Sequence, residues 1–347
     1  MSPAGPRRLH PGITLLLRAL ISVALLGLVA WRLDWKAAGA ALLRVDPGTL
    51  ALCTALALIG YGGRALRWLY LLRLGGVALR GAEAYRLTLL GIFYGMLTPG
   101  RVGELGRAFH LGLPAARTLP SVIWDRLADI LLLELLSLPA FVVLRAGPGG
   151  GAGYGMLLAA YLAVVLVTVV AMAVLDSPGA LTRLARAVPR AAGAIAGWRQ
   201  SATGMLRSRA FARGLAAGLF FYALNFAGAV LLLDRLAPGH PRTLALLFPL
   251  IILLGNLPVA FGGLGLREQV SAAAFGRLGA SAAVGPVFSL LWFLVVTVIP
   301  ALIGLVLAGG ARARVGAPHM APTGAPTGAP TEGGSGSGAP ASQPSRA

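Results

Sequence analysis

The sequence predicts an all-α polytopic membrane protein, with about six full transmembrane helices and two Pro/Gly-broken re-entrant segments. Three observations carry this reading. The 347 residues have a mean hydropathy of +0.80, and only 12% of them are charged. Several continuous Leu/Ala/Val runs approach or exceed the ~20 residues that a helix needs to cross a bilayer, whereas a transmembrane β-barrel would show short alternating segments. Two apolar runs, far apart in the chain, are each cut by Pro and Gly and then followed at once by Arg and Glu.

The first run, residues 13–33, follows Arg7 and Arg8. It is long for a signal peptide and lacks a clear small-residue cleavage site, so it reads as a retained helix. Further crossings are expected at residues 49–72, 119–144, 154–175, 211–236 and 286–308. Two shorter runs, 84–98 and 243–261, end in the broken segments. If all of these runs crossed fully, the loop 176–213 would lie opposite Arg7 and Arg8. That loop carries Arg183, Arg186, Arg190, Arg199, Arg207, Arg209 and Arg213, and arginine-rich loops stay cytoplasmic. If instead each broken run enters and leaves on one side, the first from the cytoplasm and the second from outside, the conflict disappears. Arg7, Arg8, Arg64, Arg67, Arg73, Arg80, Arg86, the loop, Arg312 and Arg314 then gather inside, and both termini are cytoplasmic. The outside keeps Arg32, Lys36, Arg44, Arg145, Arg235 and Arg242, partly offset by Asp34, Asp46 and Asp234. This arrangement has a weak inverted symmetry of the kind that supports alternating access. Within the loop, Arg183, Arg186 and Arg190 have helical spacing, which fits an amphipathic helix on the leaflet as well as an ordinary positive loop.

From about Gly309 the composition changes to Ala-Pro-Thr-Gly repeats and Gly-Ser runs. Such a segment cannot bury apolar surface and is expected to be disordered. The chain thus divides into a membrane domain, residues 1–310, and a tail, 311–347.

The formal charge is +19, with Lys36 the one lysine. Because the arginines punctuate apolar spans, the basic balance reads as topology and contact with anionic lipid headgroups, not as nucleic-acid binding. Cys53 stands alone and forms no intrachain disulfide. The four histidines show no metal-ligand spacing, and neither a metal nor a cofactor is expected.

Charges in the broken segments carry the chemistry. The first segment reads Pro99-Gly100-Arg101-Val102-Gly103-Glu104-Leu105-Gly106-Arg107. The second runs from Asn256 and Pro258 through Gly262, Gly263 and Gly265 to Arg267 and Glu268. Pro and Gly free backbone groups, which membranes tolerate only inside protein or beside a water-filled cavity. Pro99, Gly100, Gly103, Pro258, Gly262, Gly263 and Gly265 are therefore candidate broken-helix or gating positions. Ionisable residues at this depth mark a substrate path by default, and paired broken segments in two halves of a chain point to a transport site. A third group, Asp125-Arg126-Leu127-Ala128-Asp129, sits near the start of the 119–144 run. Positions 125 and 129 share a helix face, and 126 can pair with 129. Glu134 lies deeper in the same run. These charges either glue helices together or wall a polar cavity that binds a headgroup. Arg64 and Arg67, beside Tyr61, Trp68 and Tyr70, fit interfacial anchoring or a phosphate contact made by the guanidinium fork. Asn225 is expected to bond across helices. Gly262-Gly263-Leu264-Gly265 lacks the Lys-Ser/Thr of a phosphate loop.

Arg64-x-x-Arg67, Pro99-Gly100-Arg101-Val102-Gly103-Glu104 with Arg107, Asp125-Arg126-x-x-Asp129 and Pro258 through Arg267-Glu268 follow one another in an order and spacing that covers about residues 10–310. In this the chain resembles the flippase-like membrane domain of the lysylphosphatidylglycerol synthases, the multiple peptide resistance factors, as a stand-alone member. It departs at Asp125, where the family usually has Glu. The resemblance implies translocation of a phospholipid or lipid-linked headgroup across the bacterial cytoplasmic membrane. The soluble aminoacyltransferase domain of the full-length synthases has no counterpart here, since only the tail follows Ala308, and aminoacyl transfer is not carried over. Arg64, Arg67, Arg101, Arg107, Arg126, Asn256 and Arg267 are the expected headgroup contacts. Glu104, Asp125, Asp129 and Glu268 would orient those arginines or meet a cationic headgroup. Membrane lipids are the expected partners, with envelope-synthesis enzymes as a second class. Two other functions stay open on the residues alone: a membrane-embedded transferase that uses Asp125 and Asp129 on a lipid-linked donor, and a non-catalytic scaffold of envelope synthesis.

Overall fold

The structure, a computed structural model, describes residues 27, 31, 34–98, 101–146, 152–189, 192–239, 241–257, 265–281 and 283–308. Nearly all of the expected first span, 13–33, lies outside the described residues. So do Pro99, Gly100, Pro258, Gly262 and Gly263 of the broken segments, and the tail 311–347. The chain is an all-α polytopic membrane protein. Among the described residues, five helices are long and apolar enough to cross a membrane, and they answer to the five expected crossings beyond the first.

In chain order the helices are α1 (Trp35–Leu42), α2 (Pro47–Leu74), α3 (Gly81–Met96), α4 (Ala115–Ala146), α5 (Ala152–Asp176), α6 (Pro178–Ala187), α7 (Ala192–Ala202), α8 (Arg209–Leu236), α9 (Pro241–Ala245), α10 (Phe248–Gly255), α11 (Leu266–Gly276), α12 (Val284–Phe293) and α13 (Ile299–Ala308). A 3-10 segment, Val102–Leu111, follows α3, and a π-helical turn, Leu294–Val298, joins α12 to α13. Helix starts follow the side-chain rules for orphan N–H groups. Asp46 accepts from the Thr49 N–H at 2.9 Å, ahead of Pro47. Ser208 accepts from the Phe211 N–H at 3.0 Å. The loop 176–213 is mostly helical: α6 buries Leu181 while Arg183 and Arg186 stay exposed, and Arg190 lies outside the described residues.

Helices α2 and α8 form the antiparallel centre. At one end Arg235 donates to Thr49 Oγ1 at 3.4 Å. Towards the other end Gly214 lies against the Arg67 side chain. Small residues permit this approach, as they do between membrane helices generally. A Cβ on Gly63 would stand 2.4 Å from the Ala217 carbonyl oxygen, and one on Gly218 2.9 Å from Arg67 Nη1.

On either side of its break, each of the two broken segments starts and finishes at one end of the bundle, the arrangement of a re-entrant segment. Leu72 near the end of α2, Val77, Leu79 and Ala84 at the start of α3, and Ala108 and Leu111 at the end of the 3-10 segment all share one cluster, with Ala308 of α13 against it. Residues 81–111 thus begin and finish at the Leu72 end of the bundle. Helix α8 finishes at the opposite, Asp46 end, and α12–α13 must start there because Ala308 lies in the Leu72 cluster. Residues 241–257 therefore leave the Asp46 end, and 265–276 return to it. Helix length agrees: the 16 residues of α3 reach only ~24 Å at 1.5 Å per residue, short of a ~30 Å hydrocarbon core.

The last span differs from the uninterrupted helix expected over 286–308. Pro300 has no N–H to offer the carbonyl four residues back, and that carbonyl, of Val296, instead accepts the Tyr61 hydroxyl of α2. The π-helical turn sits at this place, and a freed backbone group at membrane depth is satisfied by a neighbouring helix.

Two outcomes follow. Gly63→Ala should lower stability by about 1–3 kcal/mol through overpacking, read as a fall in thermal unfolding temperature in detergent. In a Cys53→Ala background, Arg80→Cys and Arg117→Cys should react with an impermeant thiol reagent from one side of the membrane, and Arg242→Cys and Ser281→Cys from the other.

Candidate functional site

The segments brought in from opposite ends place their charges against α2 and α4. Helix α2 contributes Arg64 and Arg67, one turn apart. Helix α4 contributes Asp125, Arg126 and Asp129, and the 3-10 segment contributes Arg101, Glu104 and Arg107. Asp125 lies between Arg67 Nε, at 2.6 Å, and Arg107. Asp129 accepts from Arg67 at 3.1 Å and Arg64 at 3.3 Å, and from the Tyr222 hydroxyl of α8 at 2.9 Å. Glu104 meets Arg101 and Arg126, both at 2.9 Å, and Arg64 at 3.4 Å. Five arginines thus converge on three carboxylates, leaving two formal positive charges in excess.

The cluster has two layers. Arg67, Arg107 and Asp125 are fully buried, and Arg107 also packs its guanidinium 4.3 Å from the Trp68 ring centroid. This is the geometry of a buried ion triad that ties α2, α4 and the 3-10 segment together. None of the three lines either of the two cavities described below, so their expected role as headgroup contacts has no geometric support. Interfacial anchoring does not apply to Arg64 or Arg67 either, because both are buried within the bundle, not gathered at a cytoplasmic face. Arg101 and Arg126 form the second layer. Their side chains keep 14% and 16% exposure.

Arg101 is held in an unusual way. Its φ of +58° makes it the one non-glycine residue with positive φ among those described. Such strain costs about 1–3 kcal/mol and persists where the surroundings fix it. Here the ion pair with Glu104 fixes it, and the side chain is delivered to the centre of the bundle. Gly103 is also fixed by packing: its N–H donates to Thr98 Oγ1 at 2.6 Å, and a Cβ would stand 2.1 Å from the Tyr94 carbonyl oxygen.

The second segment builds a neutral unit. Glu268 is fully buried. It accepts from the Gly265 N–H at 2.6 Å, from Arg267 at 3.1 Å and from Ser289 Oγ at 2.9 Å. Gly265 has φ +84°, which suits glycine, and Glu268 supplies the reach-back of a capping box for α11. Arg267 donates to Ser289 Oγ at 2.8 Å and lies 4.5 Å from the Phe293 ring centroid.

Two cavities meet where the segments meet. An inner chamber of about 50 Å³ is lined by Arg64, Arg101, Asp129, Asn256 and Arg267, with Tyr61, Tyr222, Asn225 and Trp292 from α2, α8 and α12. An outer groove of about 640 Å³ runs between α4 and α5 along Leu127, Ile130, Leu133, Ala160, Val164 and Val167. Its polar end carries Arg101, Arg126 and Asn256. Arg101 and Asn256 belong to both. The site is therefore a small basic chamber that shares Arg101 and Asn256 with a long apolar groove.

Sequence reading missed Tyr61, Tyr222 and Trp292 as chamber residues. The signal was present, since aromatic residues with polar tips in mid-span need partners. Asn225 corrects another expectation. Its amide donates to the Phe221 carbonyl of its own helix at 2.8 Å, not across helices, and its Oδ1 has no partner among the described residues. Glu134, buried on α4, makes no ion pair among the described residues and stands apart from the cluster. Among those residues no group of His, Cys, Asp and Glu could hold a metal ion.

Residues 15–304 match the family described as the lysylphosphatidylglycerol synthase TM region. The chain belongs to this family. Its lysylphosphatidylglycerol synthase TM region contains both re-entrant segments and both cavities, and the family ties it to membrane lipid. No curated protein matches the chain.

Asp125→Asn should be the most damaging change in the cluster. It leaves Arg67 and Arg107 buried with a weakened partner, and breaking a buried pair costs about 3–5 kcal/mol. Arg126→Gln should cost less, because its side chain keeps 16% exposure and Glu104 still meets Arg101 and Arg64. Thermal unfolding of both variants in detergent checks the ranking.

Proposed function

We propose that the protein translocates a lipid with an anionic headgroup across the bacterial plasma membrane. One juxtaposition supports this reading: a chamber with excess positive charge, placed between segments from opposite ends, shares Arg101 and Asn256 with an apolar groove in the flank of the bundle. The groove suits an acyl chain. Arg101, Arg126 and Asn256 at its end suit a phosphate, which planar guanidinium forks bind in bidentate fashion. Each segment would gate one face in turn, so that the headgroup passes through the polar centre while the chains stay in the groove and the surrounding lipid. Alternating access around a fixed midplane site follows the logic of inverted repeats. The arginine-rich loop 176–213 would then face the cytoplasm, with the Leu72 end of the bundle. A transferase using Asp125 and Asp129 as acid and base is less favoured, because both carboxylates are locked between arginines.

The test is flipping of an acyl-labelled anionic phospholipid by the full-length protein in proteoliposomes. Arg101→Gln should slow flipping about 10- to 100-fold, the worth of a hydrogen bond to a charged group. Val164→Trp, which fills the groove, should slow it comparably. Leu302→Trp, on the half-exposed face of α13, should leave the rate unchanged. Wild-type rates in both Arg101→Gln and Val164→Trp would refute the reading.

A further inference from the structure

We propose that Glu134 is a proton-binding site linked to the apolar groove: its carboxyl takes up a proton when an acyl chain fills the groove and returns it to water when the chain leaves. This rests on the translocation reading for the movement of the lipid. The proton site itself stands on the surroundings of Glu134.

Depth is the first observation. Glu134 is 3% exposed. Helix α4 runs from Ala115 to Ala146, so at about 1.5 Å per residue Glu134 lies roughly 29 Å from one end and roughly 18 Å from the other. A Glu side chain spans neither distance, and the carboxyl is held inside the hydrocarbon core. An ionisable group at that depth is costly and by default marks an ion or proton path.

The second observation is its set of neighbours. Helices α2, α5, α7, α8 and α10 and the 3-10 segment pack on α4. Their charges close on other groups. Arg64 and Arg67 of α2 meet Asp125 and Asp129. Arg101 and Arg107 of the first broken segment meet Glu104 and Asp125, and Tyr222 of α8 meets Asp129. Arg126, further back on α4, is held by Glu104. Helix α10 has no titratable side chain, and Arg199 of α7 is exposed. Helix α5 turns two hydroxyls to Glu134. Tyr161 donates to its backbone carbonyl at 3.0 Å, and Thr168 meets its carboxyl. Thr168 gives its one hydrogen to the Val164 carbonyl at 3.0 Å. Towards Glu134 it therefore offers lone pairs, which a carboxyl can use only when it carries a proton. Glu134 Oε1 has no partner among the described residues. On a protonated carboxyl that atom is a neutral carbonyl oxygen. On a carboxylate it is a buried, unmet charge, which costs far more.

The third observation is the groove. Leu133, Val164 and Thr168 all line it, so Glu134 sits directly behind its wall. With an acyl chain in the groove the carboxyl faces hydrocarbon and must hold its proton. With water admitted from the polar end, at Arg101, Arg126 and Asn256, the carboxylate can be hydrated. On release the O–H bond at Glu134 breaks and the proton passes to that water; on uptake the same bond forms with a proton from it. Occupancy and protonation are then linked reciprocally. The lipid enters with a proton, and a proton gradient can bias its movement.

The experiment titrates the full-length protein, in detergent near neutral pH, with dihexanoyl phosphatidylglycerol. Calorimetry in buffers of different ionisation enthalpy counts the protons taken up per lipid bound. The phosphodiester keeps its single charge there, so the count belongs to the protein. The wild type should take up a proton, and its affinity should fall with rising pH, by up to about tenfold per pH unit for one linked proton. Glu134→Gln, neutral and of the same shape, should bind without uptake and keep its low-pH affinity at high pH. Glu134→Leu serves the same test if the glutamine variant fails to fold. Absence of uptake in the wild type overturns the proposal, and so does equal uptake in the variants. Flipping in proteoliposomes under a pH difference separates this inference from the reading beneath it. Proton uptake on binding without any flipping refutes translocation alone. Flipping without uptake, at a rate indifferent to the pH difference, refutes the proton site alone.

Discussion

Glu104 and Asp129 each accept from several arginines inside an apolar bundle, and the rest of the architecture answers to that constraint. Bare charges at membrane depth are costly, so the carboxylates and guanidinia must find one another. They sit on α2, α4 and a segment that enters from the end and turns back. The segment turns back where Gly103 packs closely against the Tyr94 carbonyl, and the chain runs on as a 3-10 segment that carries Glu104 and Arg107 on neighbouring turns. A regular α-helix over 81–111 would carry these residues out through the far face. Ion pairing and chain reversal are thus one requirement seen from two sides.

Packing supports the same centre. Gly63, Gly214 and Gly218 let α2 and α8 approach closely, Tyr222 of α8 donates to Asp129 of α4, and Tyr61 of α2 donates to the Val296 carbonyl. A pair of helices held by small residues has little freedom to slide. The second segment pairs Arg267 with Glu268 within itself and is tied to the last span through Ser289 of α12. Motion about the chamber would therefore fall to the segments and not to the α2–α8 pair.

The spans and the broken segments were legible in the sequence, because a run of some twenty apolar residues has few other uses and Pro-Gly inside one has fewer. The grouping of Arg64, Arg67, Arg101, Glu104, Arg107, Asp125, Arg126 and Asp129 was legible for the same reason: isolated charges would be intolerable. What the pattern could not divide was the structural layer from the cavity layer. Arg67 and Arg101 look alike in sequence, and only the depth of each against Asp125 or Glu104 separates a buried triad from a chamber wall. Nor could it place Trp292, Tyr222 and Asn225, whose polar atoms hide on otherwise apolar helices. The π-helical turn was overlooked although Pro300 announces it, since the compensating hydroxyl comes from a residue some 240 positions earlier in the chain.

The order of charges along the chain bears on how the protein is made. Helix α2 is the least apolar of the five spans, with hydropathy 1.4, because it carries both Arg64 and Arg67. Each arginine near a helix centre penalises insertion by about 2.5–3.5 kcal/mol. The carboxylates that neutralise them, Asp125 and Asp129, are synthesised 58 to 65 residues later. Alone in lipid α2 would hold both arginines unpaired, whereas beside α4 it holds them paired. The intervening residues 81–111 fold back at one end, so nothing between α2 and α4 has to be pulled through first. Pairing with α4 thus lowers the cost of placing α2 in lipid, and the same contacts build the site.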